Sequence, residues 1–101
     1  MQEISVQELK QKIDQGDQFT LIDVREPYEF EEFNLNGTLI PLGDLMNQVE
    51  SLKLLKTAEV IVHCRSGARS AMATQMLESM GFSDVKNLAG GVLAWQQAFG
   101  Q

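Results

Sequence analysis

Short apolar runs alternating with segments of helical period predict an α/β fold built on a mostly parallel sheet. Three observations carry that expectation. Phe19-Thr20-Leu21-Ile22-Asp23-Val24 and Val60-Ile61-Val62-His63 are mostly apolar runs of strand length, the pattern of strands covered on both faces. Between them lie stretches whose apolar residues recur at helical spacing. Turn chemistry at Gly16, Asn34-Leu35-Asn36-Gly37, Gly81 and Ala89-Gly90-Gly91 punctuates the series.

Each element has its own warrant. Ser5-Val6-Gln7-Glu8 is a capping-box pattern, so a first helix is expected from Val6 to near Gly16, with Val6, Leu9 and Ile13 on one face. The Phe19–Val24 strand follows. Pro27 suits the first position of a short helix through Phe33, with acidic residues at its favourable N-terminal end. Thr38-Leu39-Ile40 is expected as a strand closed by Pro41, and Leu45 to about Leu55 as a helix with Leu45, Val49 and Leu52 buried. Val60–His63 is the candidate central strand. A helix from Ala71 to Met80 carries Met72, Met76 and Met80 at four-residue steps, a stripe that predicts core packing, and Gly81 caps it. Val85–Leu88 is the last strand expected, and Val92–Phe99 a final helix anchored by Trp95.

Composition bounds the function. At 101 residues the chain is expected to form one domain over 1–101, with 44% hydrophobic and 22% charged residues. A net charge of −6 argues against nucleic acid or an anionic membrane as a general partner. Glu26, Glu29, Glu31 and Glu32 are expected to form a solvated helix face. The one cysteine, Cys64, excludes an internal disulfide and a multi-cysteine metal site; a zinc site using it and His63 would need carboxylates from elsewhere. The N-terminus lacks a secretory pattern and no segment has the length of a membrane span, so a reduced, cytoplasmic monomer is expected.

The chemistry concentrates in Val60 to Ser70. An apolar strand ends in Cys64, followed by the small-residue loop Arg65-Ser66-Gly67-Ala68-Arg69-Ser70 and then a helix. A cysteine there faces free backbone N–H groups and the positive end of a helix dipole, with Arg65 and Arg69 adding charge. Such surroundings favour a thiolate, so a lowered Cys64 pKa is expected. Asp23 and Arg25 follow the Phe19–Val24 strand at the same sheet edge, where ligands of open α/β folds bind. Asp23 is expected to cap or pair locally. His63, by strand alternation, points away from Cys64 toward packing or the surface.

Four ordered stretches now carry a family resemblance: Leu21-Ile22-Asp23-Val24-Arg25-Glu26-Pro27-Tyr28-Glu29-Phe30, Ile40-Pro41-Leu42-Gly43, Val62 to Ser70, and Gly81-Phe82 with Leu88-Ala89-Gly90-Gly91-Val92-Leu93-Ala94-Trp95. Along nearly its whole length the chain resembles a single-domain rhodanese-like sulfurtransferase. That resemblance implies a sheet of about five short strands flanked by helices, and transfer of sulfane sulfur from a donor such as thiosulfate through a cysteine persulfide. Cys64 matches the persulfide-forming position and Arg65, Ser66, Gly67, Ala68, Arg69 and Ser70 the active-site loop, with Arg25 helping to hold the same edge. No cofactor or metal is implied. With no second cysteine, the persulfide must pass to an external acceptor: glutathione, a thioredoxin-like protein or a sulfur-carrier protein.

Asn34-Leu35-Asn36-Gly37-Thr38 departs from the turn many members carry, and resembles rhodanese domains fused to enzymes that activate sulfur carriers. A sulfur-relay role, or a non-catalytic binding module on the same fold, is therefore the second reading. Phosphatase or arsenate-reductase chemistry is the third, but it needs one residue more between cysteine and arginine than the four found here. Arg65 and Arg69 are both candidates for meeting the donor, and Arg69 has an alternative as a structural ion-pair residue.

Overall fold

A computed structural model describes residues 1–100; Gln101, the last position of the expected 1–101 domain, lies outside the described residues. The elements in chain order are β1 (Gln2–Ile4), α1 (Val6–Gln15), β2 (Thr20–Asp23), α2 (Pro27–Glu32), β3 (Thr38–Leu39), α3 (Leu45–Gln48), β4 (Val60–His63), α4 (Ala68–Ser79), β5 (Val85–Leu88) and α5 (Gly91–Phe99). The strands pair in the order β1-β5-β4-β2-β3, and every pairing is parallel. The sheet is thus parallel throughout, and β4 lies at its centre.

Alternation along the strands divides the core into two layers. Ile22, Val60, Val62 and Cys64 face α3 and α4, where Leu45, Val49, Ala73 and Leu77 complete one cluster. Leu21 and Ile61 point the other way and join Ile4, Val6, Leu9 and Leu88, with Trp95 packed against them. Burial of a single Leu or Ile side chain in such layers contributes about 1.5–3 kcal/mol, so both faces of β4 hold the sheet in place. Among the described residues no helix is long and apolar enough to cross a membrane.

Local signals explain most element boundaries. The Ser5 hydroxyl oxygen accepts the Glu8 N–H while the Glu8 carboxylate accepts the Ser5 N–H, and both lie at 3.0 Å. Pro27 opens α2 as expected. Val6 and Leu9 are buried, but Ile13 lies on an exposed rim.

Four expectations are corrected. β1 was not expected, because its short polar run buries only Ile4 against β5. The helix expected from Leu45 to Leu55 is broken: α3 has one turn, flanked by 3-10 turns at Leu42–Asp44 and Val49–Leu52, and Lys53 turns left-handed at φ 52. There the Ser51 hydroxyl donates to the Gln48 carbonyl at 2.6 Å, competing with regular helical bonding. α4 begins at Ala68, three residues before the expected Ala71, so Ala68, Arg69 and Ser70 form its first turn. Finally, the methionine stripe is not the core face. Ser70, Ala73, Thr74 and Leu77 are buried instead, Met76 and Met80 lie at the border, and Met72 is exposed.

Candidate active site

The central strand delivers Cys64 to the carboxyl edge of the sheet, and the loop from Arg65 to Gly67 leads directly into α4. Cys64 is only 1% exposed. Its Sγ accepts the Gly67 N–H at 3.1 Å and the Ser70 N–H at 3.4 Å, with the Ser70 hydroxyl also 3.4 Å away. Gly67 is the N-cap residue of α4, and no side-chain oxygen caps that helix. The sulfur therefore stands where a serine or aspartate oxygen usually accepts an N–H of the first turn. Gly67 has φ 110, a conformation that side chains resist and that folds the loop back over the sulfur.

A thiolate suits this seat better than a thiol. Burial opposes ionisation, but hydrogen bonds from the Ser70 hydroxyl and from the Ser70, Gly67 and Ser66 backbone outweigh it, holding the Cys64 thiol below its ordinary range. The backbone N–H groups expected to face the sulfur do so, joined by the Ser70 hydroxyl, while among the described residues no guanidinium hydrogen-bonds Sγ. The depressed value fixes the sign of the linkage. The thiolate contributes stability above the free-thiol pKa, and that contribution is lost as pH falls through the folded value. Iodoacetamide labelling followed against pH should accordingly show a midpoint below the ~8.5 of a free cysteine. A midpoint at or above that value would mean that burial wins.

The loop is braced from elements later in the chain. The Asn87 side-chain amide donates to the Gly67 carbonyl at 3.3 Å, and its oxygen lies against the Ser70 hydroxyl. That hydroxyl has one proton for Sγ, the Gly67 carbonyl and Asn87, so it serves one at a time. At the start of α5, the Val92 and Leu93 N–H groups donate to the Cys64 and Arg65 carbonyls, both at 3.0 Å. Gly91 makes the approach possible: a Cβ there would lie 2.5 Å from the Cys64 carbonyl oxygen.

The other expected site residues separate into groups. Arg65, Ser66 and Ala68 are exposed, whereas Ser70 is buried beside the sulfur. Arg69 points to α2, where its Nη1 and Nη2 donate to the Glu29 carboxylate oxygens at 2.7 and 2.9 Å. Glu29 is consequently buried rather than part of a solvated acidic face. The Arg69 guanidinium, with help from the Glu26 N–H, overcomes burial and lowers the Glu29 carboxyl to about 2.

Asp23 and Arg25 form a buried ion pair. Arg25 Nη2 donates to Asp23 Oδ2 at 2.8 Å and to the Phe33 carbonyl at 2.7 Å, and the Arg25 N–H donates to Asp23 Oδ1 at 3.0 Å. Opposite Asp23 in register stands His63, whose Nε2 lies 3.7 Å from Asp23 Oδ2, too far for a hydrogen bond. His63 is fully buried, which excludes the surface role, and neither ring nitrogen has a hydrogen-bond partner among the described residues. Burial pushes its pKa down despite the nearby Asp23, so the ring is held neutral.

Arg25, Tyr28, Glu29, Arg65, Arg69 and Leu93 are among the residues around a cavity of about 620 Å³ beside the loop. A larger groove of about 850 Å³, with Phe19, Trp95 and Phe99 in its walls, contains none of the expected site residues. The smaller cavity is the relevant one because it adjoins the cysteine loop. Sequence reasoning missed Glu29 and Asn87 as parts of the site. The available signal for Asn87 was a short-chain amide inside the strand Val85-Lys86-Asn87-Leu88.

A cysteine seated on backbone donors at the carboxyl edge of a parallel sheet defines a class of α/β domain built around an anionic sulfur. The model of the rhodanese-like domain family matches residues 5–98, and the chain belongs to that family. It is 38% identical over 97 residues to the putative sulfurtransferase YtwF of Bacillus subtilis, covering 95% of this chain and 91% of that one. It is also 37% identical over 93 residues to the probable adenylyltransferase/sulfurtransferase MoeZ of Mycobacterium tuberculosis, covering 91% of this chain but spanning only 24% of that protein. A rhodanese-like domain protein of Staphylococcus aureus has the same fold, with a TM-score of 0.84, 31% identity, and 94% and 91% of the two chains covered.

Proposed function

We propose that this protein is a sulfurtransferase that carries sulfane sulfur on Cys64 as a persulfide. The observation that supports this most is the convergence of the Gly67 and Ser70 donors on one buried sulfur. In the proposed reaction the Cys64 thiolate attacks the outer sulfur of a donor such as thiosulfate. The new Sγ–S bond forms as the donor's S–S bond breaks, leaving Cys64–S–S⁻ and releasing sulfite. The loop N–H groups can stabilise negative sulfur before and after transfer. Arg65, exposed at the loop's edge, is the group best placed to attract an anionic donor.

Cyanide in an assay, or a thiol in the cell, then takes the terminal sulfur and restores the thiolate. The acceptor is external, since the chain has no second cysteine; a small thiol or a sulfur-carrier protein fits, in a reducing cytoplasm. The names of relatives in which sulfur transfer accompanies adenylyl transfer favour a relay role within this reading. Oxyanion chemistry is disfavoured because Arg69, the arginine it would need, is held by Glu29.

Intact-protein mass spectrometry after incubation with thiosulfate tests the proposal. One added sulfur atom on Cys64, lost on adding cyanide with release of thiocyanate, is the expected result. Failure to load sulfur from thiosulfate, mercaptopyruvate and polysulfide alike would reject it.

A further inference from the structure

Three arginines line the cavity beside the cysteine loop, and two of them are already matched by carboxylates. Arg25 is buried against Asp23, and Arg69 is clamped at two points by Glu29. Among the described residues Arg65 has no carboxylate within ion-pair distance, while Glu32 adds another negative charge to the wall. The clamp on Arg69 is itself fixed. Glu29 Oε1 also accepts the Glu26 N–H at 3.0 Å, so the carboxylate is held by its own helix as well as by the guanidinium. Positive charge that would meet a dianion is thereby turned toward α2.

We propose that Glu29 is a specificity-determining residue, which neutralises and anchors Arg69 and so favours singly charged sulfane donors over dianionic thiosulfate. This rests on the sulfur-transfer reading above. Glu29 touches no reacting atom; it acts by positioning Arg69. A suitable pair of probes is thiosulfate and methanethiosulfonate, which replaces one anionic oxygen with a methyl group. Both give the same Cys64–S–S⁻ product: the thiolate bonds to the outer sulfur, the donor S–S bond breaks, and sulfite or methanesulfinate departs with the electron pair.

The test compares kcat/KM for the two donors in the full chain and in Glu29→Gln. Glutamine keeps an oxygen for the Glu26 N–H but loses the charge that holds Arg69. The thiosulfate-to-methanethiosulfonate ratio should rise by about tenfold, the scale of one charge-assisted hydrogen bond gained by the dianion. Combining Glu29→Gln with Arg69→Gln should remove the gain. Glu29→Ala, read by the same ratio, should move in the same direction as Glu29→Gln. Because both donors are measured on one preparation, a partly unfolded fraction cancels. An unchanged ratio, or an equal loss with both donors, would show that Glu29 is only a brace and overturn the assignment. Absence of persulfide from both donors in the unaltered chain would overturn this assignment, and failure with mercaptopyruvate and polysulfide as well would overturn the sulfur-transfer reading beneath it.

Discussion

Cys64→Ser is expected to abolish sulfur transfer, with a loss of at least ~10³-fold, or about 4 kcal/mol of barrier. A serine oxygen cannot carry the sulfur chain, and its hydroxyl is far less acidic than a thiol in the same seat. The fold should survive. An oxygen at this position can still accept from the Gly67 and Ser70 N–H groups that now meet Sγ. Mass spectrometry after donor treatment, with circular dichroism on the same sample, separates chemistry from folding. Appreciable thiocyanate production by a folded serine variant would mean that the sulfur travels by another route.

The largest effect on stability is expected at the Asp23–Arg25 pair. Asp23→Ala leaves a buried guanidinium without its countercharge, while the Phe33 carbonyl remains as one acceptor. Removing one member of a buried pair costs about 3–5 kcal/mol. For a chain of this size that corresponds to a fall in Tm on the order of 15–25 °C. Asp23→Asn should cost less, since one oxygen still accepts from the Arg25 backbone N–H. Replacing both partners with apolar residues should recover most of the loss. Urea unfolding, read as a change in midpoint at constant slope, measures each variant. A loss below ~1 kcal/mol in Asp23→Ala would show that the pair is dispensable to the edge of the sheet.

The sequence made the centre of the molecule legible because local and long-range signals agreed there. Val60–His63 is apolar enough for only one place in an α/β sheet, and Ser5 and Glu8 state the start of α1 through side chains that bond reciprocally. Cys64 stood out for the same reason, as the end of that strand. The misses arise where something other than the customary local residue supplies the partner. At the start of α4 the Cys64 sulfur, three residues before the N-cap Gly67, accepts the Gly67 N–H and the first-turn Ser70 N–H, so no serine or aspartate marks the cap. Glu29 looked like one of four solvated acids until Arg69, forty positions later, buried it. β1 exists through pairing with β5 rather than through its own hydrophobicity. Met72 shows the converse, since a regular apolar spacing was overruled when Ser70, Ala73, Thr74 and Leu77 took the inner face of α4.

The bracing of the cysteine loop by Asn87 and by the first turn of α5 also bears on biosynthesis. Cys64 leaves the ribosome before the residues that hold its loop, and domains are completed as their later segments emerge. Until β5 is paired and Val92 and Leu93 reach the Cys64 and Arg65 carbonyls, the nascent chain lacks the braces that hold the loop donors around the sulfur. The full geometry of the cysteine's seat is therefore completed by the closing segment, and a chain interrupted before it is expected to capture sulfur poorly.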